Sequence, residues 1–131
     1  MLLAVELDRL GAPFGVRALS LHPGAILTPL QRHMTTEEMV AAGWIDEEGN
    51  TVNPVSKSPE QGAATQVWAA ASPRLAGMGG VYCEDCEDCD VSVPAGTDDT
   101  RPGVKHHALD PAQAARLWAF SAELTGVDPF A

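Results

Sequence analysis

The residues best suited to chemistry fall in two clusters. The first is His22-Pro23-Gly24-Ala25-Ile26-Leu27-Thr28, which closes an apolar run beginning at Val16. Proline fixes φ, glycine admits a close backbone approach, and a threonine hydroxyl both donates and accepts hydrogen bonds. Such a loop, just beyond the carboxyl end of a buried strand, is where open α/β sheets hold ligands. His22 itself reads more simply as a packing or locally hydrogen-bonded residue. The second cluster is Cys83-x-x-Cys86-x-x-Cys89, with His106 and His107 downstream, a set of ligands that could suit zinc. Glu84, Asp85, Glu87, Asp88 and Asp90 surround those thiols and disfavour a reactive thiolate, although a cation would relieve the repulsion.

The elements that must position these clusters alternate helix and strand. Residues 1–10 carry Leu3, Leu7 and Leu10 at helical spacing, with Glu6, Asp8 and Arg9 between them and no capping residue in front. Gly15 and Pro23-Gly24 bound a strand over 16–22. The stretch 29–57 is mixed and polar. Within it Thr35-Thr36-Glu37-Glu38 suits a capping box for a short helix ending near Gly43, and Asp46-Glu47-Glu48-Gly49-Asn50 reads as a turn. A connection of that length is usually functional or mobile.

Ser58-Pro59-Glu60-Gln61 and Asp110-Pro111-Ala112-Gln113 share one start signal: a capping residue, proline in the first helical position, and a glutamine that reaches back. The first helix carries Ala63, Ala64, Val67, Trp68 and Ala71, and the second Ala114, Leu117, Trp118 and Leu124. Between them Gly79-Gly80-Val81-Tyr82-Cys83 reads as a second strand, followed by acidic turns and a loop from Pro94 to Gly103. This order is α/β, with the two strands paired in parallel through the helix at 59–71.

Composition narrows the function classes. The chain has 131 residues, a formal net charge of −10 and only 8 Lys plus Arg, which disfavours nucleic acid and anionic membrane as partners. No apolar run approaches the length of a membrane span, and no basic segment precedes an apolar one as in a signal peptide. The 3 clustered cysteines are not a disulfide framework, so a reducing cytoplasm is the expected compartment.

Taken in order, the segments resemble the C-terminal portion of short-chain dehydrogenases/reductases, in the retinol-dehydrogenase-like and WW-domain-oxidoreductase-like branch. Ala4-Val5-Glu6-Leu7 is similar to the end of the helix that bears the family's Tyr-x-x-x-Lys pair. His22-Pro23-Gly24-x-Ile26-x-Thr28 is similar to its nicotinamide loop, and Ser58-Pro59-Glu60-Gln61-Gly62-Ala63-Ala64 to the next helix. Gly79-Gly80-Val81-Tyr82-Cys83-Glu84-Asp85-Cys86 is similar to its last strand. Ala108-Leu109-Asp110-Pro111, with Leu117-Trp118 and Ser121, resembles its terminal helix.

The resemblance implies the last two strands of a doubly wound Rossmann-type parallel sheet with flanking helices, the N-terminal nucleotide-binding half being missing. It implies NAD or NADP as cofactor and an alcohol or carbonyl compound as substrate, interconverted by hydride transfer. Pro23, Gly24, Ile26 and Thr28 would be the cofactor-binding residues: Ile26 through its backbone to the nicotinamide carboxamide, Thr28 through its hydroxyl to the carboxamide or the phosphates. Residues 1–10 would end the catalytic helix, 16–28 would form the strand and nicotinamide loop, 29–57 a substrate lid, and 58–131 the last helix-strand-helix. The Gly-rich fingerprint is absent, since Gly77, Gly79 and Gly80 enter a strand rather than a helix. The one tyrosine, Tyr82, has Cys86 four residues on where the pair needs lysine, so no catalytic residue is assigned and the chain is expected to be inactive alone. The alternatives are a small zinc protein built on Cys83, Cys86 and Cys89, or a non-catalytic interaction module; a homo-oligomer fits either the family or the exposed strand edge.

Overall fold

A computed structural model describes residues 1–52, 56–89 and 103–130. The loop expected from Pro94 lies, as far as Pro102, outside the described residues.

Helix α1 runs Leu2–Gly11 and starts at Met1 without a side-chain cap, as the missing capping residue predicts. The helical spacing of its leucines is right, and Leu7 and Leu10 are half-buried. Leu3 is 48% exposed, whereas Glu6 and Asp8 are buried. Asp8 is held inside by hydrogen bonds: its carboxylate accepts from Arg17 Nε at 2.8 Å, Arg17 Nη2 at 2.9 Å and the Ala18 N–H at 3.1 Å. Arg9 serves Glu6 in the same way, with Nε donating at 3.0 Å. A buried carboxylate is tolerable only when its charge is met in this manner.

The Arg17 guanidinium, aided by the Ala18 N–H and against the opposing effect of burial, holds the Asp8 carboxyl below the ordinary value of 3.8. Arg9 likewise holds Glu6 below 4.5. A depressed carboxylate stabilises the fold above its unfolded pKa and ceases to do so as pH falls through the folded one. Stability should therefore decline as pH falls through the ordinary carboxylate values and below them. In urea titrations across that range, Asp8→Asn should show a flatter decline; an unchanged slope would mean that Asp8 is not linked to folding.

After a short 3-10 turn the chain reverses at Gly15, whose φ of +77° favours glycine. Strand β1 is Ser20–His22, shorter than the expected 16–22, because Arg17 and Ala18 are taken up by Asp8. Beyond the Pro23-Gly24 break the chain resumes as β2, Ala25–Ile26, which pairs in parallel with β3, Ser56–Lys57. Between them lies helix α2, Thr36–Ala41, with the expected capping box between Thr35 and Glu38. Ile45, buried, then bridges to Thr51 across the expected acidic turn.

Helix α3, Pro59–Ala71, has the full Ser58–Gln61 capping box and leads to β4, Tyr82–Glu84. β4 pairs in parallel with β1, in the register Ser20↔Tyr82, Leu21↔Cys83, His22↔Glu84, so the fold is α/β with the expected parallel pairing. The second strand begins at Tyr82 rather than Gly79. The acidic segment is more than a turn. It is a two-residue hairpin into β5, Glu87–Cys89, antiparallel to β4, with Asp85 and Cys86 at φ +51° and +61°. Positive φ at both central residues is the geometry that matches the twist of paired strands.

The apolar face expected of α3 points outward: Ala63, Ala64 and Ala71 are exposed and Val67 is 64% exposed. Gly62 and Thr65 face the strands instead, and their small size permits a close approach. Helix α4, Pro111–Thr125, packs on α1 through the fully buried Ala114. Its expected face fails at Leu124, which is 70% exposed. Asp110 caps the helix as expected, accepting from the Ala112 N–H at 2.8 Å and the Gln113 N–H at 3.0 Å. Gln113 does not reach back; it accepts from Arg116 at 3.2 Å. A small core of Tyr82, Val104 and Ala108 closes the end of the sheet. Among the described residues no helix is long and apolar enough to cross a membrane.

Candidate functional site

Where β1 ends, the chain turns sharply. His22 Nδ1 accepts from the Gly24 N–H at 3.1 Å, the local hydrogen bond expected of that residue. The same nitrogen lies 3.8 Å from Glu84, whose carboxylate also accepts from the Tyr82 hydroxyl at 3.1 Å. Gly24 has φ +92° and lies under the Lys57 side chain: a Cβ there would come within 2.7 Å of Lys57 Cδ. The positive φ favours glycine, and a Cβ would also have to displace the end of the flexible Lys57 side chain. Lys57 continues across the turn to pair with Asp85 in the β4–β5 hairpin.

A second glycine brings the loop onto α3. A Cβ at Gly62 would overlap the Ile26 side chain and approach the Pro23 carbonyl to 3.7 Å. The Ile26 side chain of the loop therefore rests directly on the helix at Gly62.

Pro23, Gly24, Ile26 and Thr28 all line one cavity of about 400 Å³, with Gln31, Trp44 and Ser56 among its other walls. The four sequence-selected residues are thus brought together at the carboxyl end of a parallel strand. A wider hollow of about 460 Å³ adjoins it, lined by Thr28 with Met34, Met39 and Ile45 from the polar stretch.

Thr28 is held in place from both sides. Its hydroxyl oxygen accepts from the Leu30 N–H at 3.2 Å, and its own N–H donates to Gln31 Oε1 at 2.8 Å. The hydroxyl also lies 3.3 Å from that oxygen, and Gln31 Nε2 donates to the Ile26 carbonyl at 3.4 Å. Sequence reasoning missed Gln31, although Thr28-x-x-Gln31 carries the same start signal recognised at Ser58-x-x-Gln61. It also missed Lys57, which no local pattern connects to Gly24.

Cys83 is buried in β4, and Cys86, half-buried, has Sγ 4.0 Å from the Thr65 hydroxyl. His106 and His107 are exposed in a 3-10 turn. Among the described residues no three His, Cys, Asp or Glu side chains are placed to hold a metal ion.

Comparison with known proteins finds oxidoreductase relatives. A probable oxidoreductase of Streptomyces lividans is 50% identical over 111 residues, covering 83% of this chain and 36% of that protein. A short-chain dehydrogenase/reductase of Penicillium roqueforti is 38% identical over 110 residues, covering 84% of this chain and 31% of its own length. The WW domain-containing oxidoreductase of Danio rerio is 32% identical over 125 residues, covering 95% of this chain and 25% of its own length. No family profile matches, and no solved structure gives a significant match. The relatives define an oxidoreductase class. Within it, the chain belongs to the short-chain dehydrogenase/reductase family and spans 25–36% of the length of these relatives.

Proposed function

We propose that this chain supplies the nicotinamide-facing loop and the substrate-side strap of an NAD(P)-dependent oxidoreductase that interconverts an alcohol and a carbonyl. The observation that carries this reading is the convergence of Pro23, Gly24, Ile26 and Thr28 on one cavity at the end of β1. Open α/β sheets bind their ligands at that end. The residues suit a flat ring bearing an amide, because Ile26 and Thr28 offer backbone and hydroxyl groups to one cavity. When bound, the nicotinamide gives up or accepts a hydride.

In this reading β1, α3 and β4 are the last part of a doubly wound Rossmann-type sheet. The stretch 29–57, with Trp44, Met34 and Met39 facing the two hollows, closes over the substrate. α1 continues a helix that elsewhere in the family bears the tyrosine and lysine. This chain's own tyrosine cannot serve, because Tyr82 is buried and donates to Glu84. The chain binds and orients; it does not transfer the proton.

The purified 131-residue chain should therefore show no turnover of secondary alcohols with NAD or NADP. NADH should nevertheless shift the NMR signals of Ile26 and Thr28, and Thr28→Val should weaken that binding by about five- to tenfold, the worth of one net hydrogen bond. Signals at Ile26 and Thr28 that ignore NADH, or turnover by the chain alone, would overturn the assignment.

A further inference from the structure

Gln31 carries a primary carboxamide, and the loop already binds it as a ligand would be bound. Its Oε1 takes the Thr28 N–H at 2.8 Å and faces the Thr28 hydroxyl at 3.3 Å, while its Nε2 donates to the Ile26 carbonyl at 3.4 Å. Two donors and one acceptor thus converge on a planar amide, and Ile26, Thr28 and Gln31 all line the same cavity. The set discriminates chemically. A carboxylate would satisfy both donors but turn a second lone pair toward the Ile26 carbonyl, and an alcohol or amine could not span both sides.

The grip is also uneven. The 2.8 Å bond is well formed, whereas those at 3.3 and 3.4 Å are long for their types. Leaving the donors and the carbonyl bare in a partly enclosed cavity would be costly, so a stand-in has a physical reason to be there. It also has room to leave, since its neighbours Leu30 and Arg32 are exposed.

We infer that Gln31 is a built-in competitor: its side chain fills the amide-recognising groups of Ile26 and Thr28, and an incoming ligand carboxamide binds by taking its place. This rests on the reading of the cavity as a nicotinamide site. The affinity of the cavity is then lowered by the fraction of time that Gln31 occupies it, about five- to tenfold for one net hydrogen bond.

The test uses the ¹³C,¹⁵N-labelled full chain, with the Gln31 side-chain NH₂ signals assigned through their scalar connection to the Gln31 backbone. Nicotinamide mononucleotide is titrated against nicotinic acid mononucleotide, which differs in having a carboxylate. The amide compound should move the Gln31 NH₂ signals toward those of a solvent-exposed glutamine, and Gln31→Ala should bind it about five- to tenfold more tightly. The acid compound should leave the Gln31 signals in place. The wild-type signals decide the exchange even if Gln31→Ala fails to fold. Ile26 and Thr28 signals that respond while Gln31 stays fixed, or a Gln31→Ala affinity that is unchanged or weaker, would overturn the competitor role and leave the cavity reading standing. Displacement of Gln31 by both compounds alike would overturn its amide selectivity. Silence at Ile26 and Thr28 in wild type and variant would end the cavity reading and this inference together.

Discussion

Gly79→Ala is expected to be strongly destabilising, by about 2–3 kcal/mol, although it adds a single methyl group. A Cβ at Gly79 would fall on Asp8 Oδ1 and within 2.5 Å of Arg17 Nη2. The methyl can be admitted only if the ion pair separates or the segment entering β4 retreats. The Arg17 side chain is 36% exposed, so solvent screens its share of the loss. Asp8 and the Ala18 N–H have no such relief, being buried partners of one another. Their separation sets the size of the effect. Urea denaturation would measure it, and a change under about 0.5 kcal/mol, typical of a surface substitution, would mean that the contact does not pin the fold.

Gly62→Ala should also destabilise, against what helix propensity alone dictates. In an exposed helix interior alanine is better than glycine by about 1 kcal/mol. Here the new Cβ would overlap Ile26 Cδ1, and accommodating an extra carbon in packed surroundings costs about 1–3 kcal/mol. Packing should match or outweigh propensity, leaving a net loss of up to about 2 kcal/mol. Because Ile26 lines the cavity and its carbonyl accepts from Gln31, its methyl signal should shift together with the Gln31 NH₂ signals. A more stable Gly62→Ala would show that Ile26 moves aside freely and that the loop is not set by α3.

These two glycines also mark the boundary of what could be read from the chain beforehand. Local signals were reliable where the chemistry is local. Thr35, Ser58 and Asp110 cap the helices they precede, and the Pro23-Gly24 break ends β1 as expected. The four residues chosen for the cofactor were legible as a motif, and they share one cavity. What was not legible is chiefly which side faces in, with the Gln113 cap and the β5 strand as further misses. The burial of Asp8 was not legible because its partner, Arg17, sits beyond a turn that no periodicity describes. That α3 would bury Gly62 and Thr65 and leave Val67 exposed was not legible, because the helix selects small size rather than hydrophobicity at its contact with the strands. The β5 strand was hidden by its own charge: Glu87 and Asp88 read as solvated turn, yet a hairpin edge accepts charged residues readily.

Arg17 has a further role, in the order of assembly. Its bonds to Asp8 span 9 residues, but its Nη1 also donates to the Gly77 carbonyl, 60 residues away. Ser20 Oγ likewise reaches the Val81 carbonyl across 61 residues. The first link can form as soon as α1 and the following turn exist. The others must await the whole excursion through α2 and α3, and closing so long a loop is entropically slow. Arg17 therefore joins a fast, local half of the molecule to a late-arriving one, and β1 gains its parallel neighbour only at the end of folding.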